Sequence, residues 1–126
     1  QLPQRLGTWS DHVRSWIDQR DLPVHVVRYE DLLAHTATVF AAVLTFAGHE
    51  PDPDRVRHAV DASSMPRLQA QEESASFKER PIRNPGRFFR RGVAGGWQDE
   101  LPPELAGSIE HEHRETMLRF GYLESA

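Results

Sequence analysis

The run Arg87-Phe88-Phe89-Arg90-Arg91-Gly92-Val93-Ala94-Gly95-Gly96-Trp97 carries the strongest chemical signal in the chain. A guanidinium is a planar fork of donors that fits two phosphate oxygens at once. Glycines beside it let backbone amides approach an anion that a Cβ would hold off. The paired phenylalanines can fix such a loop on a core. The spacing is not the dinucleotide fingerprint, and no Lys-Ser/Thr follows the glycines as a P-loop requires. By composition alone the same run also reads as a solvated basic turn.

Two further segments carry chemical groups. Val26-Val27-Arg28-Tyr29-Glu30-Asp31-Leu32 places a Tyr and two acids at the end of a β-branched run. Ligands gather at the carboxyl ends of strands in open α/β sheets. The plain alternative is a strand-to-helix junction with a capping acid. Ser63-Ser64-Met65 offers hydroxyls and a soft apolar surface, or simply a helix end. The histidines are weaker. His111 and His113 stand two apart on a helix and do not share a face, and their spacing is not the metalloprotease pattern. No metal site is expected, and no Ser/His/Asp set or acid/base pair of carboxylates can be named. His12 reads as a partly buried helix residue rather than a catalytic one.

These residues need elements to hold them. Trp9, Val13, Trp16 and Ile17 recur at helical spacing behind Thr8, which predicts a helix over Thr8–Gln19 with the tryptophans in the core. Asp21-Leu22-Pro23 breaks it. Val24–Tyr29 reads as a short buried strand. Glu30 and Asp31 open a helix running to about Ala47, stopped by Gly48. Asp52-Pro53 is a cap followed by a first-turn proline, so a helix is expected over Pro53–Ala62. Pro66 starts another short helical piece. Ser74–Gly96 holds two Pro, four Gly and the Arg run with little periodicity, and is expected to be a long ordered loop. The last helix is expected over Pro103–Arg119, with Leu105, Ile109 and Met117 facing inward and Gly121 capping it.

Composition sets the outer bounds. A chain of 126 residues allows one domain with one core. With 38% hydrophobic and 27% charged residues it suits a globular fold rather than disorder. No apolar run reaches the ~20 residues of a membrane span. There is no cysteine, which excludes thiolate catalysis, disulfides and Cys-based metal sites. The net charge is −4, yet Lys78–Trp97 holds one Lys and five Arg against one Glu, a local +5. The rest therefore carries −9. A basic island in an acidic chain fits a local anion site better than a nucleic-acid or membrane surface.

In this order, the segments resemble the C-terminal part of the PAPS-dependent sulfotransferases of the cytosolic type, in a bacterial-like form. PAPS is 3′-phosphoadenosine-5′-phosphosulfate. That family carries a Trp-rich helix, a Tyr-Glu-Asp strand end, a Ser-Phe stretch, and Phe-x-Arg-Lys-Gly-x-x-Gly-Asp-Trp. Here the counterparts are Trp9–Trp16, Tyr29-Glu30-Asp31, Ser63-Ser64-Met65 and Phe88–Trp97. The resemblance implies an α/β fold: the C-terminal portion of a P-loop kinase-like parallel sheet, mostly helical here, with one strand over 24–29.

The resemblance also implies roles. Arg90, Arg91 and Gly92 match the residues that hold the cofactor's 3′-phosphate. Tyr29 matches a Tyr beside the adenine. Ser63 and Ser64 match hydroxyls of the adenine pocket, and Met65 stands where the family stacks a Phe on the base. Gly96 replaces the usual Asp, and Arg91 replaces Lys with the charge kept. Ser74–Arg87 matches a region that forms part of a lid. The Lys-x-x-x-Thr-Val dimer signature, which would begin at Gln98, is absent.

The family's phosphosulfate loop, its catalytic Lys and His and the rest of its 3′-phosphate site lie in its N-terminal half. Nothing here matches them. The resemblance therefore implies a cytoplasmic enzyme of which residues 1–126 are a C-terminal piece, inactive by itself. The parent would move a sulfuryl group from PAPS to a hydroxyl or amine of a small molecule or glycan, with no nucleic-acid partner. The rival expectations are a standalone noncatalytic nucleotide- or phosphate-binding module and a helical protein-interaction domain.

Overall fold

Thr8 and Asp11 start the first helix by bonding each other. The Asp11 amide donates to Thr8 Oγ1 at 3.2 Å, and Asp11 Oδ2 accepts from the Thr8 amide at 3.4 Å and its hydroxyl at 2.8 Å. This reciprocal cap opens α1, Trp9–Ile17. The computed structural model describes residues 7–19, 21–75 and 86–124. Within them follow α2 (Tyr29–Ala34), α3 (Thr36–Phe46), α4 (Pro53–Ala62), α5 (Met65–Ala75), a 3₁₀ turn (Gly96–Asp99) and α6 (Pro103–Arg119). No described helix is long and apolar enough to cross a membrane.

The Thr8 hydroxyl and amide, with the Arg14 guanidinium, hold the Asp11 carboxyl below its ordinary value. A lowered native value means that the cap contributes stability above the unfolded value, and loses it as pH falls through the native one. The first turn of α1 should therefore fray as pH drops through and below the ordinary aspartate range. Thr8 and Asp11 amide shifts followed by NMR should titrate together. Constant shifts through that range would refute the coupling.

Local chemistry fixes the other helix ends. Asp52 Oδ1 accepts from the amides of Asp54 and Arg55, both at 2.9 Å, and Pro53 fills the first turn of α4, where no amide partner is needed. At the end of α3 the Gly48 amide bonds the Thr45 carbonyl and the His49 amide bonds Leu44, with Gly48 at φ 82°. Gly121 repeats this pattern after α6, with Tyr122 bonding Met117 at 2.8 Å. Both are left-handed terminations that glycine adopts without strain.

The chain divides into two compact units, residues 1–24 with 97–126, and residues 25–96. In the first, α1 packs on α6. The seam is largely polar. Ser10 and Thr116 are buried, Ser10 Oγ lies 2.8 Å from His113 Nδ1, and Arg119 pairs with Asp18 at 2.7 Å. In the second unit, α3 packs on both α2 and α4, and Val56 is its buried centre at 5% exposure.

Several expectations are corrected. No strand occurs among the described residues. Residues 23–28 are irregular, Arg28 is extended, and Tyr29 opens α2 instead of closing a strand. An extended segment becomes a strand only when another chain segment pairs with its backbone, and none of the described residues does so. The expected sheet is thus not seen among the described residues. The expected helix from Glu30 to Ala47 is two helices, broken at His35 with φ −136° and ψ 45°. One residue steps out while the apolar period runs on, so periodicity does not reveal the break. Pro66 belongs to an eleven-residue helix rather than a short piece. Trp9 and Trp16 are exposed, as are Leu105 at 53% and Ile109 at 45%, and His12 is exposed too. Periodicity identifies an apolar face, but not what covers it.

Candidate functional site

The second unit gathers most of the residues singled out above. Ser63 ends α4: its hydroxyl donates to the Ala59 carbonyl at 2.8 Å and to Val60 at 3.3 Å. Ser64 immediately precedes α5, and its carbonyl accepts from the Leu68 amide. Met65 is the first residue of α5 and is half-buried. The two helices thus set Met65 at a fixed corner.

The Arg loop folds onto that corner. Gly92 adopts φ 60°, and a Cβ built there would overlap the Met65 methyl outright. Gly92 answers two demands at once, a left-handed backbone and room for a thioether. Gly95 also lies in the left-handed region, at φ 72°. Arg91 bends back across the turn, its guanidinium carbon 3.8 Å from where a Gly96 Cβ would stand. Successive turns of this kind form concave rows of amides suited to an anion. Arg90 and Arg91 are both exposed at its edge.

Helix α5 holds the approach to this loop. Glu72 is only 6% exposed, and its two carboxylate oxygens accept from the amides of Phe88 at 2.7 Å and Phe89 at 3.1 Å. Gln69 Nε2 donates to the carbonyls of Phe89 at 3.0 Å and Arg90 at 3.3 Å. Arg87 pairs with Glu73. Phe88 and Phe89 meet edge-to-face with ring centres 5.2 Å apart. Sequence reasoning missed Gln69 and Glu72. Their only local signal is a polar pair at helical i,i+3 spacing, which is the ordinary appearance of a solvated helix.

Direct contact thus joins Met65 to Gly92. Tyr29 stands half-exposed at the start of α2, and the Ser63 hydroxyl turns back onto the carbonyls of α4. Most of the expected lid, Ser74–Arg87, lies outside the described residues. The loop contains no acid, hydroxyl or imidazole between Arg87 and Trp97, so the groups it presents are guanidiniums and backbone amides. The residue types fit a phosphate monoester: two exposed arginines flank a glycine turn in the left-handed region.

The chain is 26% identical over 117 residues to mouse sulfotransferase 2A2, covering 90% of this chain and 41% of that protein. It is 26% identical over 115 residues to 3-alpha-hydroxysteroid sulfotransferase of guinea pig, covering 88% and 40%. It is 28% identical over 112 residues to cytosolic sulfotransferase 5 of Arabidopsis thaliana, covering 82% and 35%. The chain spans about two-fifths of the length of the first two relatives. No solved structure matches it significantly. The family model described as the sulfotransferase domain matches residues 3–121, and the chain belongs to that family.

Proposed function

We propose that this chain supplies part of the donor site of a sulfotransferase that uses PAPS. Arg90, Arg91 and Gly92 hold the 3′-phosphate; Met65, Ser63, Ser64 and Tyr29 line the adenine side. The observation that carries the reading is the loop's geometry: two exposed arginines on a left-handed glycine turn seated against Met65.

When bound, PAPS supplies a sulfuryl group, whose bond to the phosphate oxygen breaks as one forms to the acceptor oxygen or nitrogen. The acceptor's proton leaves and adenosine 3′,5′-bisphosphate is released. This chain's residues bind and orient; they move no proton. The acceptor is a small molecule or glycan bearing a hydroxyl or amine. The names of the guinea-pig relatives specify hydroxysteroids, which favours a hydroxyl. The protein works in the cytoplasm, as the name of the Arabidopsis relative states for that protein. The exposed Trp16, Leu22, Leu105 and Ile109 support the reading that residues 1–126 are one portion of a larger domain.

Calorimetric titration of the full-length protein tests the donor site. Adenosine 3′,5′-bisphosphate should bind at least about tenfold more tightly than adenosine 5′-phosphate, since hydrogen bonds to a charged partner contribute about 1.5–3 kcal/mol. Equal affinity for the two would refute a 3′-phosphate site.

A further inference from the structure

Glu72 is a buried acid with a specific task. A buried carboxylate is costly unless its oxygens are bonded, and here they take the amides of two consecutive residues, Phe88 and Phe89. One helical turn earlier, on the same face of α5, Gln69 offers the opposite chemistry and donates to the carbonyls of Phe89 and Arg90. The Phe89 backbone is therefore gripped at both ends, its N–H by Glu72 and its carbonyl by Gln69. Phe89 also meets Phe88 edge-to-face. Arg90, Arg91 and Gly92 follow directly from this anchored point.

We infer that Glu72 and Gln69 are the positioning residues of the phosphate loop, fixing through the Phe89 backbone where Arg90 and Arg91 meet the ligand's 3′-phosphate. The inference rests on the donor-site reading above. An arginine reaches phosphate through a long flexible side chain, so its contribution depends on a backbone that does not wander. A loop held in one place meets its ligand without first being ordered, and a loop that is ordered only part of the time binds more weakly in proportion. The grip is charge-assisted at Glu72 and neutral at Gln69, so the acid should matter more.

The test uses Glu72→Gln and Gln69→Ala in the full-length protein, titrated with adenosine 3′,5′-bisphosphate and with adenosine 5′-phosphate. The amide of Glu72→Gln sets a donor against one of the two backbone donors and breaks the pairing with little change in shape. Glu72→Gln should weaken the bisphosphate by about tenfold or more, and Gln69→Ala by about threefold, both leaving the monophosphate within twofold. A loss shared equally by the two nucleotides would overturn the inference, because a general structural defect does not single out the 3′-phosphate. Unchanged affinity for both would overturn it as well. If Glu72→Gln does not fold, Gln69→Ala alone decides. If the wild-type protein shows no preference for the bisphosphate, the donor-site reading falls instead. The grip is then judged by hydrogen exchange: the Phe88 and Phe89 amides should lose protection in Glu72→Gln, and retained protection overturns it.

Discussion

Replacing both Arg90 and Arg91 by alanine should lower the affinity for adenosine 3′,5′-bisphosphate by about 1,000-fold. Each guanidinium that meets a phosphate contributes about 1.5–3 kcal/mol through charged hydrogen bonds, and two such losses give a factor between about 10² and 10⁴. The folded state should hardly notice, because both side chains are exposed and surface changes usually stay within about 0.5 kcal/mol. The variants therefore separate binding from folding. Arg91→Lys should retain most of the affinity, because the family motif carries Lys at that place and a point charge suffices there. Arg90→Lys should lose more, since an ammonium cannot grasp two oxygens in a planar fork. The wild-type affinity should also fall with added salt, and the double variant should lose much of that dependence. Titration at two ionic strengths checks all of these. A change below threefold in the double variant would show that the loop does not bind the phosphate.

What the sequence discloses divides along a physical line. Features written within a few residues were legible. Asp52-Pro53 defines the start of α4 and Pro103 that of α6, and Gly48 and Gly121 stop their helices in left-handed turns. The Arg-Gly run stands out by its residue types, which by themselves leave an anion loop and a solvated basic turn both open. Features that depend on distant partners were not. The 24–28 segment has strand-like residues, but a strand exists only through a neighbour, and its residue types do not carry that neighbour. The exposure of Leu105 and Ile109 has the same origin. The grip of Glu72 on Phe88 spans sixteen residues, and no local rule pairs a helix acid with a loop amide at that separation. The contact between Met65 and Gly92 was not anticipated, because the resemblance assigns them to different parts of the cofactor and does not set them against each other. Spacing by itself gave no reason to place them together.

The corner that seats Met65 depends on packing further back, which makes Val56 the most sensitive apolar position in the second unit. Val56 is 5% exposed where α4 meets α3. Val56→Asp would bury a carboxylate with no partner built for it, at a cost of about 3–5 kcal/mol. That is a large share of the ~5–15 kcal/mol that holds most domains together. Helices α3 and α4 should separate, and with them the Ser63-Ser64-Met65 corner against which Gly92 rests, so phosphate binding should fail together with stability. The defect has a pH signature. Burial favours the neutral form and raises the introduced carboxyl's native pKa above its unfolded value. The destabilisation is then complete above the native value and eases as pH falls toward the unfolded one. Val56→Leu, which keeps the site apolar, should cost less than about 1.5 kcal/mol and retain binding. Urea denaturation at neutral and at mildly acidic pH checks the pair. A Val56→Asp protein as stable as the wild type at neutral pH would show that the contact between α3 and α4 does not hold this unit together.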